Sequence, residues 1–127
     1  MVGLDQLAGQ MYLNLETFRK NGVSVKTPVW FVQEGETLFI RTMATSGKVK
    51  RVRLNSRVNV APCKVDGALV GEWLPAKARA GTDDDTAQKV DHLLDEKYGE
   101  VKKQLSRSAE MANASYAILE VKLEPAQ

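Results

Sequence analysis

The sequence predicts a mainly β protein in which six antiparallel strands curl into a barrel that carries a few short helices. Alternating polar and apolar residues recur in segments of strand length, and hairpin signals such as Asn21-Gly22 and Asp66-Gly67 lie between them. The glycine-rich fingerprints of parallel nucleotide-binding sheets are absent. Six antiparallel strands in 127 residues usually avoid open edges by closing into a barrel, and we expect residues 1–127 to form one domain.

The first three strands are predicted to form an antiparallel meander. Residues 12–18 alternate between polar and apolar side chains, which is the period of a half-buried strand. Asn21-Gly22 then turns the chain into a return strand at residues 23–33, which is rich in β-branched and aromatic residues. A second turn at residues 34–36 leads into the third strand, residues 37–42.

Two helices are predicted from their start signals. Ser46 is a suitable N-cap for a short helix within residues 44–55, whose apolar positions lie on one side. The acidic run at residues 83–85 favours a second helix start, because negative charges stabilise a helix N-terminus. This helix is expected to break near Gly99 and to continue to about Leu105.

The remaining elements follow from the same patterns. A fourth strand is predicted at residues 57–64, and Asp66-Gly67 turns it into a fifth strand at residues 68–80. Alternation returns at residues 115–123, which predicts the sixth strand. Apolar residues at helical spacing in residues 4–11 predict a short helix before the first strand.

Composition excludes several functional classes. The net charge of +2 is close to neutral, so the chain as a whole is not expected to bind nucleic acid or an acidic membrane surface. No apolar run is long enough to span a bilayer, and residues 1–10 lack the features of a signal peptide, which predicts a cytoplasmic protein. One cysteine, Cys63, and one histidine, His92, predict neither a disulfide nor a metal site.

A basic segment between Thr37 and Val65 is the main charge asymmetry. It contains no acidic residue, and its basic residues are Arg41, Lys48, Lys50, Arg51, Arg53, Arg57 and Lys64. Lys48 and Arg51 share one helix face directly after Ser46-Gly47, where a hydroxyl and the N–H groups of a helix start favour an anion. The pattern predicts a cradle for one phosphate. The alternative is a solvated basic helix face, and nucleic-acid binding is disfavoured because no aromatic residues are interleaved.

Aromatic residues mark the predicted second strand and the predicted fifth strand. Pro28 lacks a ladder N–H, so this strand should lie at an edge or a bulge, where a flat ligand can approach. Two interpretations of Trp30 and Trp73 are open. Their rings form walls of a ligand site, or they fill the core and an interface between two copies of the chain.

Three groups of segments, in this order, resemble the pyridoxamine 5′-phosphate oxidase-like split-barrel proteins. They are Asn21-Gly22 with residues 27–31; residues 38–42 with residues 46–51; and residues 55–63 with Asp66-Gly67 and residues 71–73. The resemblance covers roughly residues 13–105, and it is greatest to the small F420-dependent branch of actinobacteria. It implies an FMN-binding-like split β-barrel that forms a homodimer, with two cofactor sites at the subunit interface.

The resemblance also implies which residues hold the cofactor, coenzyme F420 or alternatively FMN. Lys48 and Arg51 would bind its phosphate, with Ser46, Gly47 and Lys50 as helpers. The tricyclic ring would lie beside the second and third strands, near Pro28, Val29, Trp30, Arg41, Thr42 and Met43, with Trp73 contributed by the partner subunit.

The implied function is an F420H2-dependent reductase that transfers a hydride to an unsaturated small molecule. The alternatives are an FMN-binding protein of the flavin reductase type and a non-catalytic F420 carrier or storage protein. We expect no catalytic side chain and no metal, because the cofactor ring itself performs hydride transfer and the protein supplies positioning and electrostatics.

Overall fold

The computed structural model describes residues 4–81, 84–99 and 116–124. Seven strands and three helices lie within these residues. In chain order the elements are α1 (Leu4–Leu7), β1 (Tyr12–Phe18), β2 (Ser24–Val29), β3 (Val32–Glu34), β4 (Thr37–Met43), α2 (Gly47–Leu54), β5 (Arg57–Cys63), β6 (Leu74–Gly81), α3 (Asp84–Tyr98) and β7 (Tyr116–Leu123).

The strands form one antiparallel sheet in the order β2-β1-β5-β6-β7-β4-β3. β2 and β3 lie at opposite ends of this order, yet only Trp30 and Phe31 separate them along the chain. Three Cα steps span at most about 11 Å, so the two edges of the sheet must approach each other. The sheet therefore curls into a barrel that is split where β2 and β3 do not pair, which confirms the predicted mainly β split-barrel fold.

The strand predicted at residues 23–33 is wrong as one element. It divides into β2 and β3 at Trp30-Phe31, here called the crossover, so the sheet has seven strands rather than six. The backbone N–H of Phe31 donates to the Tyr98 hydroxyl at 3.0 Å, and the Phe31 carbonyl accepts a hydrogen bond from Lys97 at 2.8 Å. Side chains of α3 thus satisfy the backbone groups that a continuous strand would have paired with a neighbour.

Two other strand predictions need correction. The predicted meander is present as two antiparallel hairpins, β1–β2 and β3–β4, but it is wrong as one three-stranded unit, because β2 and β3 lie at opposite ends of the sheet order. The fifth strand, predicted from residue 68, begins only at Leu74. Before it, the Gln6 side chain donates to the Glu72 carbonyl at 2.7 Å and accepts from the Glu72 N–H at 3.1 Å. A side chain of α1 replaces the strand ladder there, so the chain stays irregular.

The two faces of the sheet build two apolar clusters. Inward-facing residues of every long strand fill the barrel, where Val49 and Val52 of α2 join them. On the outside, α3 covers β3, β4 and β7 through Val90, Leu94 and Tyr98. Because strand side chains alternate between faces, adjacent residues of β4 and β7 contribute to different clusters.

The predicted second helix is confirmed as α3, and its expected continuation from Gly99 to Leu105 lies outside the described residues. His92 is exposed and lies 3.0 Å from Glu96 one turn later, while Cys63 is buried in β5. Within the described ranges no helix has both the length and the apolarity needed to cross a membrane, and no cluster of three or more His, Cys, Asp or Glu side chains is placed there to hold a metal ion.

Lys97 is a half-buried cation at the crossover. Its ammonium lies 3.5 Å from the centre of the Phe31 ring and forms no ion pair with the carboxylates of the described residues. Burial lowers the pKa of Lys97 from 10.5 to about 8. The folded chain therefore releases this proton at a lower pH than the unfolded chain.

The free energy of unfolding is therefore expected to rise as the pH increases from about 8 to 10.5. With partial exposure allowed for, the gain is on the order of 2 kcal/mol. Urea unfolding of the native chain and of Lys97→Met at each pH isolates this gain, because other titrating groups cancel. Between pH 8 and 10.5 the native chain should gain stability relative to the variant, because only the native chain carries the ammonium that loses its proton. A difference that stays constant with pH would contradict the assignment.

Candidate functional site

The candidate site lies at the start of α2, which closes one end of the barrel. Val49 and Val52 anchor the helix in the core, so its polar positions face the barrel rim and the solvent. Ser46 occupies the N-cap position, as predicted, but its side chain does not cap a helix N–H. The Thr42 hydroxyl lies 3.3 Å from the Ser46 hydroxyl and hydrogen-bonds to it. The first turn of α2 therefore has no side-chain acceptor from its own cap residue, a feature suited to an anion.

Arg51 folds back over this first turn. Its Nε donates a hydrogen bond to Thr17 Oγ1 at 2.6 Å, and Thr17 is buried in β1. A β-carbon added to Gly47 would lie 2.5 Å from Nη1 of Arg51, so the guanidinium occupies the space that a side chain at this position would need. Glycine thus allows the guanidinium to lie against the backbone of the helix start.

Positive charge is concentrated at the site. Burial, and then the neighbouring Arg51, lower the pKa of Lys48. Burial, and then the nearby Arg19, lower the pKa of Arg51. None of the carboxylates in the described part of the chain forms an ion pair with these three cations. A bound anion would relieve their repulsion, so the arrangement is suited to a phosphate group.

We define the α2 cradle as Thr17, Thr42, Ser46, Gly47, Lys48 and Arg51. Thr17 and the nearby Arg19 were not among the residues predicted for the site. Thr17 could have been found, because the inward-facing positions of β1 are Leu13, Leu15 and Thr17, and a hydroxyl at the last of them needs a partner. Lys50 was predicted as a helper, but its side chain is exposed and does not share the helix face of Lys48.

The residues predicted from β4 divide between the two faces of the strand. Thr42 faces the barrel interior and belongs to the α2 cradle. Arg41 faces outwards, where it pairs with Asp91 of α3 at 3.0 Å and lies 4.4 Å from the centre of the Tyr116 ring. Met43 also faces outwards and is 43% exposed. Alternation along β4 thus separates Arg41 and Met43 from the cradle.

The aromatic and edge residues form other groups. The Trp30 ring stacks on Tyr98 with 4.1 Å between ring centres and 9° between planes, so one of its faces is covered within the chain. Val29 packs on the barrel core, whereas Pro28 lies opposite Asn14 on the outer face. Trp73 precedes β6, with the Lys26 ammonium 5.7 Å from its ring centre. These side chains are not gathered around the cradle in one chain.

A small cavity is present elsewhere, between β6, β7 and α3. Its volume is about 40 Å³, and it is lined by Arg79, Gly81, Thr86, Ile118 and Glu120. Cavities that enclose a drug-sized ligand have volumes of about 300–1,000 Å³. This cavity is therefore too small for a tricyclic ring, and the α2 cradle remains the candidate site.

Gly47→Ala is expected to weaken anion binding by about 1–2 kcal/mol while leaving folding intact, because the new methyl group displaces a charge-assisted hydrogen-bond donor. The guanidinium is the flexible end of a side chain, so it can move at little cost to stability. Alanine also favours a helix over glycine, which supports an unchanged or raised melting temperature. Fluorescence titration and thermal unfolding measure the two effects. A loss of stability without a loss of affinity would show that Gly47 has only a packing role.

Comparison with known proteins finds similarity in three-dimensional structure. No protein-family model matches the chain, and no curated protein matches it. Among solved structures, a proposed pyridoxamine 5′-phosphate oxidase from Listeria innocua is similar with a TM-score of 0.69 and 15% identity, over 96% of this chain and 90% of that one.

Two further solved structures extend the comparison. The haem storage protein HutZ from Vibrio cholerae is similar with a TM-score of 0.73 and 16% identity, over 97% of this chain and 88% of that one. A protein described as an F420 reductase is similar with a TM-score of 0.63 and 18% identity, over 98% of this chain and 95% of that one. At these identities the likeness shows a shared split-barrel fold.

Proposed function

We propose that the α2 cradle binds the phosphate of coenzyme F420 and that the protein is an F420H2-dependent reductase of an unsaturated small molecule. The observation that carries this proposal is the pair Lys48 and Arg51, held without a described carboxylate partner at an uncapped helix start. The split-barrel fold, shared with a protein described as an F420 reductase, supports the same proposal.

The residues of the cradle fit a phosphate group. Arg51 presents a planar fork, Lys48 a point charge, and Gly47 lets the ligand approach the backbone of the first helical turn. When bound, the reduced ring of the cofactor would supply the hydride. The protein's own contribution would be to hold the phosphate and to orient the ring, which agrees with the expectation of no catalytic side chain.

A homodimer in the cytoplasm is part of the proposal. The predicted ring contacts Pro28, Trp30 and Trp73 are not gathered around the cradle of one chain, so a second copy would be needed to complete a ring site.

FMN is the second candidate ligand. A phosphate monoester is a dianion at neutral pH, whereas a phosphodiester carries one negative charge. The cradle combines Lys48 and Arg51 with the nearby Arg19, so it also carries enough positive charge for a doubly charged group. FMN binding would make flavin reductase activity the expected function, and F420 binding without turnover would indicate a carrier or storage protein.

Parallel fluorescence titrations of the purified protein with F420 and with FMN test the proposal. Tight F420 binding with weaker FMN binding is the expected result, followed by oxidation of F420H2 in the presence of a panel of unsaturated acceptors. Preference for FMN would replace the cofactor assignment, and F420 binding without turnover of any acceptor would favour the carrier. Binding of neither compound would overturn the proposed function.

A further inference from the structure

We infer that Thr17 is a positioning residue that holds the Arg51 guanidinium over the helix start in the orientation that receives an anion. The inference deepens the proposed function, on which it rests only for the identity of the bound phosphate. Thr17 is the last inward-facing residue of β1, and its side chain is 1% exposed. Its hydroxyl accepts a hydrogen bond from Nε of Arg51 at 2.6 Å, a distance typical of a charge-assisted bond.

Two contacts determine the position of the guanidinium. Thr17 engages Nε, and Nη1 lies where a β-carbon of residue 47 would be, against the backbone of the helix start. A planar group held at one edge and packed at another has little freedom to rotate. The remaining N–H groups are therefore preorganised for a ligand, and binding loses less side-chain entropy than it would with a freely moving arginine.

The chemical type of the anchor matters. A carboxylate at position 17 would also orient Arg51, but it would neutralise the charge that attracts the ligand. A hydroxyl orients the guanidinium and leaves its full positive charge available. Arg19 and Lys48 repel Arg51, so without an anchor the side chain would turn towards solvent. The Thr17 bond opposes that repulsion.

The test compares Thr17→Val, which has nearly the same shape but no hydroxyl, with Thr17→Ser, which keeps the hydroxyl. The tighter-binding cofactor, F420 or FMN, is titrated into each protein. Thr17→Val is expected to weaken affinity about tenfold, which equals about 1.4 kcal/mol, and Thr17→Ser less than about threefold. In an Arg51→Ala background, Thr17→Val should cause no further loss. An equal loss with and without Arg51 would overturn the inference, because a structural role does not require Arg51.

A second measurement separates this inference from the proposed function. The Nε–H group of Arg51 is observed by ¹⁵N NMR and is assigned by the loss of its signal in Arg51→Lys. Its proton should exchange slowly with water in the native chain and rapidly in Thr17→Val. If the native chain binds neither cofactor, the proposed function fails, and inorganic phosphate becomes the probe. Phosphate binding that is weaker in Thr17→Val but not in Thr17→Ser would then support the positioning role. Unchanged exchange in Thr17→Val, or no phosphate binding by the native chain, would overturn it.

Discussion

Arg51→Ala is expected to weaken cofactor binding by about 1.5–3 kcal/mol, and Lys48→Ala by a similar amount, because each removes a charged hydrogen-bond donor from the α2 cradle. Neither cation pairs with a carboxylate of the described residues, so the loss should come from the ligand contact rather than from a broken ion pair. Lys48→Ala should not lower stability, since it relieves repulsion between like charges. Arg51→Ala also removes the hydrogen-bond partner of the buried Thr17 hydroxyl, which is expected to cost about 1–3 kcal/mol of stability. Fluorescence titration and urea unfolding measure both quantities.

Arg53→Ala is the matched control. Arg53 lies on the same helix, its side chain is exposed, and its removal changes the net charge by the same amount. It should alter cofactor affinity by less than about 0.5 kcal/mol, because Arg53 lies in the last turn of α2, about 9 Å of helix rise from Gly47, where an exposed charge is strongly screened at physiological salt. Equal losses for Arg53→Ala and Arg51→Ala would mean that only the overall field attracts the ligand, and unchanged affinity in both cradle variants would remove the cradle from the site.

The short helix could be predicted because its determinants are local. Ser46 starts it, and the apolar Val49 and Val52 fall on one face and are buried in the core. The Lys48–Arg51 pair follows from the same three-residue spacing. Where an element depends on one helix turn, the sequence pattern was sufficient to predict which side chains share a face.

The division of residues 23–33 could not be predicted because its cause lies far along the chain. The backbone groups of Phe31 are satisfied by Lys97 and Tyr98, which follow more than sixty positions later. Local propensity favoured a continuous strand, and a tertiary contact outweighed it. The same limit applies to Arg41. Its face of β4 depends on register, and its partner Asp91 belongs to a helix whose docking the sequence does not specify.

Tyr98 connects the end of α3 to the crossover, and its ring is 5% exposed. Its hydroxyl accepts from the Phe31 N–H at 3.0 Å and lies 2.8 Å from the Met11 carbonyl, to which it can donate. Burial raises the pKa of Tyr98 to about 12, so the hydroxyl keeps its proton at neutral pH. One side chain therefore satisfies backbone groups of both Phe31 and Met11 and stacks on Trp30.

Tyr98→Ala is therefore expected to destabilise the protein by about 3–5 kcal/mol, the range for truncating a buried aromatic ring. Tyr98→Phe keeps the ring and the Trp30 stack but leaves the Phe31 N–H without its partner, which should cost about 1–3 kcal/mol. Urea unfolding measures both losses. If the slope of the unfolding free energy against urea concentration is the same in the native chain and in the variants, both losses arise in the native state. The difference between the two variants separates ring packing from backbone satisfaction.

Tyr116→Phe is the control for loss of a tyrosine hydroxyl, because that hydroxyl has no hydrogen bond to the residues that the structure describes. It should change stability by less than about 0.5 kcal/mol. If Tyr98→Phe behaved like this control, the Tyr98 hydroxyl would contribute nothing to the crossover, which apolar packing and Lys97 would then hold. A loss confined to Tyr98→Phe would instead show that one buried hydroxyl holds the point at which the barrel is split.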